Sequence, residues 1–135
     1  MKRFFSVLVL AIVMIGALTA AAPIPKTTFT LVKELPSTMN VGDVYTVVVQ
    51  INSDQEFISA TALPSFQYAG KGVVAVQGGD RAGRGRSATL ELTFKAKGPT
   101  TNMLDGVAPV YVVVGVRYGG GYVAVEQYIF NVMVP

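Results

Sequence analysis

The chain is 135 residues long and 51% apolar, with 11 basic and 8 acidic residues; this length suits one domain, and this apolar share can fill its core. It contains no His and no Cys, which excludes Ser-His-Asp and Cys-His catalysis, zinc sites built on His or Cys, haem ligation by those residues, and any disulfide staple. Stability must then come from apolar packing.

The first 21 residues read as a secretory signal peptide, with a helix expected along it. Lys2 and Arg3 give a positive start, and residues 4–18 form an uncharged run interrupted by Ser6 and Gly16. Spanning a bilayer core takes about 20 apolar residues, so this run has the length of a signal core; uncleaved, it would serve as a membrane anchor. Thr19 and Ala21 supply the small side chains that signal peptidase prefers, which puts release before Ala22. Once Lys2 and Arg3 leave, nine basic residues face eight acidic ones. Little long-range attraction to polyanions remains, and no nucleic-acid partner is expected.

Residues 22–135 then form the domain. Residues 21–26, with Pro23 and Pro25, read as an extended lead-in. Beyond it come short apolar runs separated by Gly, Pro, Asn and Asp, and none keeps an apolar stripe at helical spacing. In order they predict strands over 28–35, 44–51, 57–63, 73–77, 87–97, 110–118 and 122–134, with an extra edge segment at 66–68. The clearest is 87–97, where Ala88, Leu90, Leu92, Phe94 and Ala96 alternate with Thr89, Glu91, Thr93, Lys95 and Lys97. Such alternation specifies one buried and one wet face. In 44–51, Tyr45, Val47, Val49 and Ile51 are expected inward, and near the end Tyr128, Phe130, Val132 and Val134 share a face. Seven short strands at this spacing predict an all-β, immunoglobulin-like Greek-key sandwich. Gly119, Gly120 and Gly121 read as the turn of the last hairpin.

The stretch from Leu35 through Asn40-Val41-Gly42-Asp43 to Val47 resembles the entry to the second strand of bacterial immunoglobulin-like and cohesin-like domains, in which a Val-Gly-Asp turn precedes an alternating strand. Leu90-Glu91-Leu92-Thr93-Phe94-Lys95-Ala96-Lys97-Gly98 is similar to a later strand of the same group. The resemblance spans about residues 30–134. It implies a spacer, adhesion, carbohydrate-binding or docking module on a cell surface, without a catalytic role and without a cofactor.

Candidate chemistry is sparse. Asp43, Asp54, Glu56, Asp80, Glu91, Asp105 and Glu126 fall at turns or outward strand positions, so a carboxylate-based hydrolase has no visible scaffold. In Asn52-Ser53-Asp54-Gln55-Glu56, Asp54 and Glu56 are weak calcium candidates; Phe57 and Leu63 stand where an EF-hand loop needs Gly and Glu, and a polar hairpin turn is the favoured reading of the segment. Gly83-Arg84-Gly85-Arg86-Ser87-Ala88 matches a dinucleotide fingerprint in letters, but an alternating strand follows it in place of a helix. The Gly-rich segment 78–86 carries Arg81, Arg84 and Arg86, whose guanidinium forks suit acidic polysaccharide, although a solvated turn accounts for them as well. In a sandwich these Arg, the 52–56 turn, Tyr118 and Tyr122 crowd one end and form a candidate binding rim. The expected role is an exported, surface-associated binding or adhesion module. Its partner is an acidic polysaccharide or another surface protein, and its membrane contact comes through the signal segment alone. The alternative is a structural subunit that assembles by strand exchange through the lead-in.

Overall fold

The computed structural model describes residues 4–6, 23–65 and 72–135. Among the described residues nine strands lie in chain order: β1 (Phe4–Ser6), β2 (Thr27–Lys33), β3 (Val44–Phe57), β4 (Ser59–Pro64), β5 (Val73–Ala75), β6 (Asp80–Ala82), β7 (Gly85–Ala96), β8 (Ala108–Arg117) and β9 (Val123–Val132). The predicted signal helix lies outside the described residues except at Phe4–Ser6, which are extended, and the edge segment at 66–68 lies outside them entirely.

Alternation dictates the architecture. In β7, Leu90, Leu92, Phe94 and Ala96 are buried, while in β8 Ala108, Val110, Val112, Val114 and Val116 are buried at every second position. Each strand thus has one face that must leave water, and two antiparallel sheets pack these faces together. One sheet runs β2-β3-β7-β5 and the other β1-β9-β8-β4-β6. Four strands facing β9-β8-β4 is the constant-type immunoglobulin arrangement, and the chain changes sheet at each step from β3 to β8 in Greek-key fashion. Beneath Leu92 and Phe94 the core includes Val47, Val49, Ile51, Phe57, Val112, Val114, Phe130 and Val132. A fully buried aliphatic side chain of this kind contributes about 1.5–3 kcal/mol. Every described member of the core and its packed surround falls between Phe29 and Val134. The three residues of β1 pair antiparallel with Gln127–Ile129 at the β9 edge.

Three local features depart from the sequence expectations. First, residues 52–56 are not a turn: β3 continues to Phe57, with a register irregularity between Asn52 and Phe57 where it passes β7. Second, 78–86 is not one loop, because Asp80–Ala82 form β6 and β7 starts at Gly85. Third, Tyr45, expected inward, is 42% exposed at the start of β3.

The Asn40–Asp43 turn has the chemistry read from its sequence. Gly42 has φ +96, which suits the third position of a type II turn, and the Asp43 N–H donates to the Asn40 carbonyl at 2.9 Å. The Asp43 carboxylate in turn accepts the Asn40 N–H at 2.9 Å.

Side chains finish what the short strand β5 leaves open. It covers β7 only at Phe94–Ala96. Beyond it the Asp80 carboxylate accepts the Glu91 N–H at 2.8 Å, and the Gln77 side-chain amide bonds the Glu91 carbonyl and the Thr93 N–H at 3.3 and 3.4 Å. These bonds satisfy backbone groups that an exposed strand edge would offer to another chain.

Candidate functional site

The end of the sandwich where β3 turns into β4 brings part of the predicted rim together. Phe57 pairs with Gly85, the Ile58 N–H donates to the Arg117 carbonyl at 2.8 Å, and the Arg84 guanidinium lies 3.6 Å from the Glu56 carboxylate. Both side chains of that ion pair are well exposed, so it adds little stability.

Tyr118 has a structural place in this end. It continues the inward parity of Val110 to Val116, is 4% exposed, and meets the Phe57 ring edge-on at 6.4 Å between centroids. Its hydroxyl bonds Thr27 Oγ1 and lies 2.7 Å from Ser53 Oγ, tying β8 to β2 and β3. Tyr118 is therefore withdrawn from the accessible rim. Tyr122 is half-buried against the core, and its carbonyl accepts the Tyr118 N–H at 2.9 Å across the Gly119–Gly121 turn. Gly120 and Gly121 supply φ values of +84 and +93 there, which L side chains rarely adopt.

The three arginines do not converge. Arg81 in β6 pairs opposite Thr61 in the five-stranded sheet, whereas Arg86 lies in β7 of the four-stranded sheet. Between them the chain crosses sheets at Gly83 and Arg84, which is why a run contiguous in sequence is divided in space. Asp54 is engaged by the lead-in: its carboxylate accepts the Lys26 N–H at 2.8 Å, and its own N–H reaches the Lys26 carbonyl at 3.3 Å. Gln55 Nε2 adds a bond to the Pro23 carbonyl at 3.0 Å, so Pro23 to Lys26 are fastened to their own domain. Among the described residues Asp54 and Glu56 do not belong to any group of three or more acidic side chains that could hold a metal.

The sequence reading passed over the region around β9. In register with β8, its even residues face inward, and these include Glu126, which is 8% exposed beside Tyr128 and Phe130. Burial raises the Glu126 carboxyl above the ordinary carboxylate range, and burial followed by the Glu126 charge pushes Tyr128 up to about 12. The signal was available in the sequence, since Glu126 has the parity of the inward Tyr128, Phe130 and Val132.

On the opposite side, the outer face of the five-stranded sheet is mostly apolar. Cross-strand pairs Tyr111–Ile129, Val113–Gln127 and Leu63–Val113 lie on it, with Val123 and Val125 following along β9. A shallow pocket of about 190 Å³ sits at one margin, between Leu104, Asp105, Pro109 and Asn131. Neither a protein-family model nor a curated protein sequence matches the chain.

Proposed function

We propose that this protein is an exported, non-catalytic module of the cell surface that works through its sheet surfaces, as a binding or assembly unit. One observation carries the reading. The residues that the sequence assigns to a cleavable leader are the same residues that pair with the β9 edge: Phe4 with Ile129, Phe5 with Tyr128 and Ser6 with Gln127. Removal of a leader ending at Ala21 would strip that edge and leave every described core residue in place. A long strand edge without a partner is a template for another chain, so export would also switch on association. The test is the intact mass of the exported product together with its fractionation. A chain beginning at Ala22 in the extracytoplasmic fraction is the expected result, and an intact chain kept in the cytoplasm overturns the reading.

A second reading, retention on acidic polysaccharide, is favoured by Arg81 and Arg86, which are exposed and form no ion pair among the described residues. It requires a ligand long enough to meet Arg81 on β6 of one sheet and Arg86 on β7 of the other.

A further inference from the structure

We propose that the β9 edge is a self-association site at which a second copy of this chain pairs its own β9 antiparallel across a two-fold axis at Gln127. The inference rests on the export reading in one respect: β1 must leave before the edge opens in the cell.

The edge differs from every other edge among the described residues. β5 and β6 are three residues each, and Gln77 and Asp80 cap the β7 groups that β5 does not reach. The edge of β2 carries a register shift between Leu31 and Lys33, with Lys26 and Lys33 at its two ends. Bulges, short strands and lysines are the means by which natural sheets block further pairing. β9 has none of them. It is ten residues long, regular in register against β8 from Val123 to Val132, and Glu126 is its one charged residue.

Hydrogen-bond direction marks out the usable part. The Met133 N–H donates to the Ser37 carbonyl at 2.8 Å, and the Met133 carbonyl accepts the Met39 N–H at 2.9 Å, so the backbone groups of Met133 point away from β8. By alternation the odd residues Val123, Val125, Gln127, Ile129 and Asn131 present theirs to the same edge. Segment 37–39 already occupies Met133, and the hairpin turn ends at Gly121. The free window is thus Val123 to Asn131, and its midpoint is Gln127. That β1 pairs antiparallel at Gln127–Ile129 demonstrates that this edge accepts an antiparallel strand.

A two-fold axis at the midpoint makes the window self-complementary. Val125 then faces Ile129 of the second copy, and Gln127 faces its own equivalent. Five edge-facing positions give about ten backbone hydrogen bonds. On the inner side Glu126 falls opposite Tyr128 of the second copy, and the same pair repeats by symmetry. Directly opposed side chains that lie between hydrogen-bonded positions are the closest in an antiparallel ladder. The Tyr128 ring is already held, stacked on Phe130 at 6.4 Å and 14°. The Glu126 carboxylate forms no hydrogen bond to any described residue and keeps its oxygens in reach of solvent, and the phenol hydroxyl of the second copy would supply a protein donor in place of water. This symmetric pairing of a carboxylate acceptor with a phenol donor is what selects a second copy over an unrelated strand.

The register makes the test specific, because the chain has no Cys. A chain made directly as residues 22–135, which holds every described core residue and whose fold circular dichroism checks, is expected to sediment as a dimer, and the full chain with β1 in place as a monomer. Gln127→Cys in the shorter chain should form an interchain disulfide on mild oxidation, since opposed hydrogen-bonded residues lie about 5.5 Å apart. Val123→Cys, which meets Asn131 of the second copy, should not. Tyr128→Phe should raise the dimer dissociation constant at least about tenfold, through loss of two bonds to carboxylates. Gln127→Pro, whose missing N–H points outward, should give a monomer with an unchanged fold by circular dichroism. A folded 22–135 chain that stays monomeric at high concentration, or equal cross-linking at 123 and 127, overturns the proposal. Because these measurements use a chain made without the leader, their failure is separate from failure of leader removal, which intact mass reports.

Discussion

Thr100 and Val134 clamp one another in both directions: the Thr100 N–H donates to the Val134 carbonyl at 2.9 Å, and the Val134 N–H donates to the Thr100 hydroxyl at 2.9 Å. The hydroxyl proton is directed to the Gly106 carbonyl at 2.7 Å. Thr100 is fully buried, so the loop after β7 is fixed to the end of the chain by groups that have no water to fall back on. Thr100→Val should destabilise the fold by about 1–3 kcal/mol, because it orphans the Val134 N–H and the Gly106 carbonyl. Thr100→Ser, which keeps the hydroxyl, should cost about 1 kcal/mol. Urea unfolding followed by circular dichroism measures both, and equal losses would refute the clamp.

Gly72 leans on the same threonine. Its φ is +70, and a Cβ there would lie 2.8 Å from Thr100 Cγ2 and 3.3 Å from Ala108 Cβ. Gly72→Ala should therefore cost more than the roughly 1 kcal/mol of a left-handed alanine alone. Thr100→Ser removes the nearer atom, so in the double variant part of that loss should return. A double-mutant cycle of unfolding free energies measures the coupling, and strictly additive losses would count against the contact.

How legible the fold is in the sequence depends on where burial varies. Strand β7 is plain because Leu90, Leu92 and Phe94 alternate with residues that stay wet, and burial in a half-covered strand repeats every two residues. Residues 52–56 read as a turn because they are polar, yet they continue β3, where Asp54 finds its partner in the Lys26 backbone and Ser53 in the Tyr118 hydroxyl. Three-residue β6 has no alternation to read, and its pairing with β4 is long-range. Tyr118 reads as a rim residue beside three glycines, but counting by twos from Val110 puts it inside. The same count puts Glu126 inside, and polarity alone hides it.

The arginines can be separated by their surroundings. Arg84 faces Glu56, while Arg81 and Arg86 form no ion pair among the described residues. If the domain is retained on an acidic polysaccharide column, replacing Arg81 and Arg86 by Ser should bring elution to lower salt, with a smaller shift for Arg84→Ser. Glu56→Gln should move elution to higher salt by releasing Arg84. An elution position that none of these changes moves would remove the polysaccharide reading.

Glu126 gives the stability an acid dependence opposite to that of a salt-bridged carboxylate. Burial raises its folded pKa above the value of about 4.5 that it has in the unfolded chain, so the folded state holds its proton to higher pH. Below the unfolded value neither state is charged and the group costs nothing. As pH rises from there through the folded pKa, the unfolded chain ionises first, stability falls, and the cost is complete above that pKa. Tyr128 adds a second loss as pH climbs from about 10 toward about 12, because its folded pKa is raised by burial and then by the Glu126 charge. In the full chain, where β1 holds the edge, Glu126→Gln should melt at the same temperature as the parent in acid and at a higher one at neutral pH. Its Tyr128 should also ionise at lower pH, read from phenolate absorbance, since the opposing charge is gone. Parallel melting curves across the whole pH range, with an unmoved tyrosine titration, would show that Glu126 is solvated and not buried against Tyr128.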